Sequence, residues 1–311
     1  MAHVTFIHGI ANKPPADDLL RIWRRALADA AEPLPLGDLG VQSTLVYWAD
    51  LMYEKPDEDL SAHEGVLENT PQAVDGGGGA SAPQPRNAEE AAFIEGLRGK
   101  MTSRSDAEME SGELPAVPAL ATGQLERVPL PWFLKKRFLD TFLRDVHHYL
   151  FDVEFAPSGR TPVRIQKSIR GRFLEALCDP AVTRPHIVVS HSMGTVIAYD
   201  CLKRLGDCPP VDGFITLGCP LGLDEVQDKL QPGWSRADGF PERVAGEWVN
   251  LFDRLDPVCG FDPKLANDFL KGGAPALDDV AVHNDGAWRH SATKYLRQKS
   301  FCQALRRMLS L

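Results

Sequence analysis

The run His186-Ile187-Val188-Val189-Ser190 passes without a linker into His191-Ser192-Met193-Gly194, and Met193 to Leu205 carries apolar side chains at helical spacing. A short, wholly apolar strand is one buried on both faces, as the central strands of a parallel sheet are. Joining it directly to a helix requires a turn so tight that its apex is strained and the apical side chain stands above the sheet. Small residues two before and two after the apex let strand and helix approach. Gly194 meets that need, whereas position 190 is Ser and leaves side-chain volume to be accommodated. The connection commits the chain to a parallel α/β sheet with Ser192 at the carboxyl end of a strand.

The rest of the sequence fits this frame. Val4–Ile7 is an apolar run stopped by His8-Gly9, and Leu19, Leu20, Trp23, Leu27 and Ala31 fall on one helical face after Pro14-Pro15. Ser43–Trp48 reads as the next strand, which completes a β-α-β unit. Further on, Val163–Leu177 reads as a helix, and Phe214–Leu217, Glu247–Phe252 and, more weakly, Val280–Val282 read as strands. A final helix is expected from Ala292 to Leu309. The fold class is therefore α/β, a mostly parallel sheet with helices on both faces.

One long insertion interrupts it. Residues 54–126 hold 15 acidic and 5 basic residues, leaving 28 of the 43 acidic and 29 of the 34 basic residues for the rest of the chain. With a Gly76–Gly79 run, Pro83-Gln84-Pro85 and few large apolar residues, this stretch is expected to hold little fixed structure. Removal of residues 72–126 is expected to leave a folded protein. An acidic binding tail is the alternative reading. Residues 130–152 regain helical periodicity through Trp132, Phe133, Phe138, Leu139, Phe142, Leu143, Val146, Tyr149 and Leu150. Such a helix packs a core, covers an apolar pocket as a lid, or, with Lys135–Arg137 beside it, touches a membrane surface. The division expected is a core of 1–53 and 151–311, and a partly flexible acidic cap, 54–150.

The whole chain carries a formal charge of −9 and has no Lys/Arg-rich run, which argues against nucleic acid as a partner. No apolar run approaches the roughly 18 residues of a membrane span. The N-terminal residues lack the pattern of a secretory signal, so a cytoplasmic location is expected. The six cysteines form no C-x-x-C pair and read as free thiols. The adjacent His147 and His148 point about 100° apart on a helix, which does not suit a shared metal.

Three segments complete the chemistry around Ser192. His8-Gly9-Ile10 ends the first strand, so it lies at the same carboxyl edge of the sheet. Its Ile10 N–H and the N–H of Met193 are the expected pair of donors for an oxyanion, although an ordinary strand-end turn would look alike. His8, Gly9 and His191 would then surround the substrate. Asp256 follows the strand ending at Phe252, and His290 follows the last strand, giving the chain order Ser, Asp, His. His290 is the expected base and Asp256 the acid that orients it. Asp253 is the rival acid and His283 the rival base.

With its H-G turn at the first core strand and its S-H-S-M-G elbow, the chain resembles the lipase- and esterase-like members of the α/β-hydrolase superfamily. Ile215-Thr216-Leu217-Gly218-Cys219-Pro220-Leu221 is similar to their T-L-G-S-P-L segment, with Cys219 at the serine. The resemblance covers residues 1–53 and about 160–311, and the sheet is expected to lack the one or two antiparallel strands that usually come first. It implies a serine hydrolase that cleaves a carboxylic ester through an acyl-enzyme on Ser192, with neither cofactor nor metal. The substrate would be a small-molecule or lipid-like ester held in an apolar pocket lined by Trp132 and Phe133. Lipase, thioesterase, amidase and peptidase activities share such a site, and a hydrolase-like binding scaffold is the alternative from another class.

Overall fold

A computed structural model describes residues 2–64, 81–111, 132–230, 235–286 and 288–311. The chain opens with β1 (His3–Ile7), α1 (Ala16–Ala28) and β2 (Gln42–Val46), the expected β-α-β unit. The short α2 (Ser61–Glu64), then α3 (Ala88–Ser111) and α4 (Trp132–Leu150), follow before the sheet resumes. A small antiparallel pair, β3 (Glu154–Phe155) and β4 (Val163–Arg164), leads into α5 (Ile165–Cys178). Then come β5 (His186–His191), α6 (Met193–Arg204), β6 (Val211–Leu217), α7 (Asp224–Leu230), β7 (Val244–Phe252) and β8 (Asp278–Ala281). Two helices, α8 (Ala292–Leu296) and α9 (Lys299–Leu309), close the chain.

Six strands form one sheet in the order β2-β1-β5-β6-β7-β8, every pair parallel. No antiparallel strand joins it among the described residues, in line with the expected fold class. Period-two alternation divides its side chains between two cores. Ile187, Val189, Ile215 and Leu251 pack with Trp23 of α1 and Phe301 of α9, whereas Val188, Phe214 and Trp248 pack under α5 and α6. The chain runs outward from β1 to β2 and then returns to lay β5 on the other side of β1. The strand order reverses between β1 and β5, and a crevice at the carboxyl ends of such a pair is where parallel sheets place their sites.

Two expectations need correction. The acidic stretch 54–126 is not without fixed structure, because α3 spans 24 of its residues. Phe93, Ile94, Leu97 and Met101 are buried in the same core as Phe142 and Val146 of α4, and the Phe93 and Phe151 rings meet edge to face at 5.2 Å. Glu90 of α3 lies 3.1 Å from His147 Nε2 and pairs with Arg86 as well. The Gly76–Gly79 run lies outside the described residues. The C-terminal helix, expected as one piece, is broken at Arg297-Gln298. Gln298 is extended (φ −66°, ψ 134°), and its side-chain amide donates to the His283 carbonyl and to Asn284 Oδ1. That loop therefore fixes the break.

Helix α4 packs as a core helix along most of its length. Phe142, Leu143, Val146 and Tyr149 are fully buried, and Tyr149 O–H donates to Asp200 at 2.7 Å. Asp200, inside α6, also takes two hydrogen bonds from Arg170 of α5, at 2.7 and 2.9 Å. One buried carboxylate thereby ties α4 and α5 to α6, the helix that follows Ser192.

Candidate active site

Ser192 has φ +55° and ψ −129°, a conformation that a residue with a side chain adopts only under constraint. Its N–H donates to the Leu217 carbonyl at the end of β6, at 2.9 Å. Ser190, where a smaller residue was expected, is accommodated by hydrogen bonding. Its hydroxyl lies 3.0 Å from Thr195 Oγ1 and donates to the Ile215 carbonyl at 3.3 Å, which ties β5 to α6 and β6. Two glycines let the β1 turn reach the elbow. A Cβ on Gly9 would stand 2.6 Å from Ser192 Cβ, and one on Gly194 would stand 2.6 Å from the His8 carbonyl oxygen. Neither position has room for any side chain.

His290 Nε2 lies 2.8 Å from Ser192 Oγ, and His290 Nδ1 lies 2.9 and 2.8 Å from the two oxygens of Asp256. With Nδ1–H donated to the carboxylate, Nε2 is left to accept the Ser192 O–H. All three residues are buried. Asp256 Oδ1 also accepts the Val258 N–H at 2.7 Å, and Oδ2 accepts the Tyr295 O–H at 2.7 Å. Tyr295 in turn accepts the Asp253 N–H at 3.1 Å. Nothing in the sequence singles out Tyr295; its one mark is a place on the short helix just after His290.

The rival residues are engaged elsewhere. Asp253 accepts the N–H groups of Leu255 (2.8 Å) and Asn284 (2.7 Å) and a hydrogen bond from Arg289 (3.2 Å), so it staples the loop that carries His290 to the end of β7. His283 is nearly half exposed and faces the Arg289 guanidinium at 3.0 Å. Cys219 is buried beside Asn250, and burial pushes its thiol up to about 12, so it stays protonated.

The residues expected around a substrate fare differently. Gly9 lies against Ser192, but His8 is fully buried with both ring nitrogens in use. Nδ1–H donates to the Gly9 carbonyl at 2.8 Å, and Nε2 accepts the Trp48 N–H at 3.0 Å. Its ring stacks on Trp48 at 4.8 Å. His191 Nε2–H donates to the His290 carbonyl at 2.9 Å, which holds the backbone of that residue. Burial lowers the pKa of both His8 and His191 well below the ordinary histidine value, so each is a neutral scaffold group. His8 thus anchors the Gly9 turn and His191 the backbone of His290. Ile10 and Met193 are buried, Ile10 directly after Gly9 and Met193 as the first residue of α6. The side chains of Trp132 and Phe133 lie outside the described residues. Among the described residues Phe138 of α4 comes to the site, its ring 6.0 Å from His290 and edge to face with Trp288 at 4.9 Å.

No protein-family model and no curated protein sequence matches the chain. Among solved structures it is similar to a YdeN-like hydrolase from Pectobacterium atrosepticum, at 14% identity over 46% of this chain and 69% of that one, with a TM-score of 0.31. It is also similar to acetyl xylan esterase 1 from Thermoanaerobacterium sp. JW/SL YS485, at 12% identity over 100% of this chain and 74% of that one, with a TM-score of 0.36. The fold is α/β, a parallel six-stranded sheet with helices packed against it. No helix among the described residues is long and apolar enough to cross a membrane.

Proposed function

We propose that this protein is a serine hydrolase that cleaves a carboxylic ester through an acyl-enzyme on Ser192. The observation that carries this reading is the hydrogen-bonded series Ser192–His290–Asp256, with 2.8 Å at each link, on a strained strand-to-helix turn. A serine hydroxyl is a weak nucleophile unless a base accepts its proton as it attacks. His290 Nε2 is that base, and Asp256 fixes the tautomer and stabilises the imidazolium.

In the first half-reaction Ser192 Oγ bonds to the ester carbonyl carbon while its proton passes to His290. The oxyanion is held by the N–H groups of Ile10 and Met193. Collapse breaks the bond to the alkoxy group, which leaves as the alcohol with the proton from His290. Water then attacks the acyl-enzyme with the same proton route, releasing the acid and restoring Ser192. Phe138 and Trp288 beside His290 supply the apolar wall that favours an ester with a hydrocarbon acyl group. In this reading α4 belongs to a cap, 54–150, that covers the site as well as packing the core.

The test is hydrolysis of p-nitrophenyl esters from acetate to palmitate, with Ser192→Ala as the control and a fluorophosphonate probe for labelling. A serine-dependent optimum at one chain length is expected. Labelling at Ser192 without turnover of any ester would replace the ester by an amide, a thioester or a bulkier substrate. Neither turnover nor labelling would sink the enzyme reading in favour of a binding scaffold.

A further inference from the structure

The turn that carries Ile10 does not hold its shape by itself. Ala11, the next residue, is buried at φ +70°, in the left-handed region that disfavours a residue with a side chain. Its N–H donates at 3.0 Å to Oδ2 of Asp145, a residue 134 positions away in the middle of α4. Asp145 is buried, and its other oxygen is taken by two hydrogen bonds from Arg144, at 2.9 and 2.7 Å. Tyr53 O–H approaches Oδ2 at 3.4 Å, and the Arg144 guanidinium lies over the Tyr53 ring at 4.6 Å.

We infer that Asp145 is a positioning residue for the oxyanion site: by gripping the Ala11 N–H it sets the peptide plane of the preceding turn, and with it the aim of the Ile10 N–H at Ser192. The inference rests on the serine-hydrolase reading and adds to it that a cap helix builds half of the oxyanion site. A carboxylate suits this place because one oxygen serves Arg144 while the other serves the turn. An asparagine has a single acceptor oxygen; if Arg144 takes it, the amide NH₂ faces the Ala11 N–H, donor against donor.

The experiment compares Asp145→Asn with Tyr53→Phe, which removes a neighbouring donor and leaves the grip on Ala11 intact. The substrate is the best p-nitrophenyl ester, and the transition-state mimic is phenylboronic acid, which forms a tetrahedral adduct on an active serine. Asp145→Asn is expected to lose about 10²-fold in kcat, the cost of a donor displaced by about 1 Å, with KM within about twofold. Boronate affinity should fall in parallel, while Tyr53→Phe keeps its kcat. An Asp145→Asn protein that melts cooperatively and keeps kcat within about threefold would overturn the inference. So would a loss confined to KM with boronate affinity unchanged. If Asp145→Asn does not fold, lactic acid at position 11 replaces the Ala11 N–H by an ester oxygen and spares the Asp145–Arg144 pair; full kcat in that protein overturns the inference, and a matching loss supports it. Wild-type protein that fails to label at Ser192 brings down the hydrolase reading and this inference with it, whereas labelled wild type beside an unimpaired variant brings down this inference alone.

Discussion

Each oxygen of Asp256 has a donor besides His290, the Val258 N–H on one side and the Tyr295 O–H on the other, so the fold itself orients the carboxylate. A hydrogen bond to a charged group contributes about 1.5–3 kcal/mol, which makes Tyr295→Phe worth roughly 10- to 100-fold in kcat with KM little changed. Asp256→Asn removes the acceptor that fixes the His290 tautomer, and its expected cost is on the order of 10⁴ in kcat. Asp253→Asn should act on stability instead, since Asp253 staples the His290 loop and does not touch the imidazole. Steady-state kinetics and thermal midpoints of the three variants separate these roles: a 10⁴-fold loss in a well-folded Asp253→Asn would exchange the two acids. The strand ends in the sequence single out Ser192, Asp256 and His290, because a parallel sheet delivers whatever follows its strands to one edge. Tyr295, His8 and His191 could not be read that way. Their roles depend on which backbone or carboxylate oxygen a folded ring happens to meet, and sequence distance says nothing about that.

At the scale of elements, the β-α units were legible because a short, wholly apolar run and an amphipathic helix leave different patterns, as β5 and α1 do. Helix α3 was not. Its buried residues Phe93, Ile94, Leu97 and Met101 form one narrow stripe in an otherwise acidic segment, and averaging composition over 54–126 hides four residues among seventy. The break between α8 and α9 was hidden for a different reason: it is imposed by the Gln298 side chain bonding to a loop some fifteen residues upstream. The stripe makes α3 part of the folded core, so the expectation that 72–126 can be deleted freely no longer stands. Leu97 is fully buried, and Leu97→Ala should cost about 2–5 kcal/mol, the usual range for a leucine removed from a close-packed core. Urea denaturation of that variant gives the number. A loss under about 1 kcal/mol would mean that α3 rides on the surface of the molecule after all.

Over the whole molecule, the two cores on either side of the sheet enclose histidines in a neutral state. His186, at the start of β5 and 2.9 Å from Thr5 Oγ1, has its pKa lowered to about 4, by burial first and the nearby His3 second. His148 of α4 is lowered to about 4, again by burial and then by His147. Both are almost completely covered. The unfolded chain takes up these two protons near pH 6.5, whereas the native protein resists them until the pH approaches 4. Above pH 6.5 neither state is protonated and native stability is intact; as pH falls from 6.5 toward 4 the unfolded state gains protons that the native state does not, and stability is lost. At pH 5 the loss is about 2 kcal/mol for each histidine. Carboxylates held low in the native state do not contribute in this window, because their unfolded counterparts titrate near pH 4. For a chain of this length these two histidines, about 4 kcal/mol together, account for a fall of about 6 °C in Tm between pH 7.5 and pH 5, and the buried, neutral His8 and His191 add to it in the same direction. His186→Gln, which keeps a polar group toward Thr5 and cannot titrate, should shrink the fall by about 3 °C, the share of one histidine. Calorimetry at the two pH values in both proteins decides it: an equal fall in wild type and variant would show that the acid sensitivity of this fold comes from elsewhere in the chain.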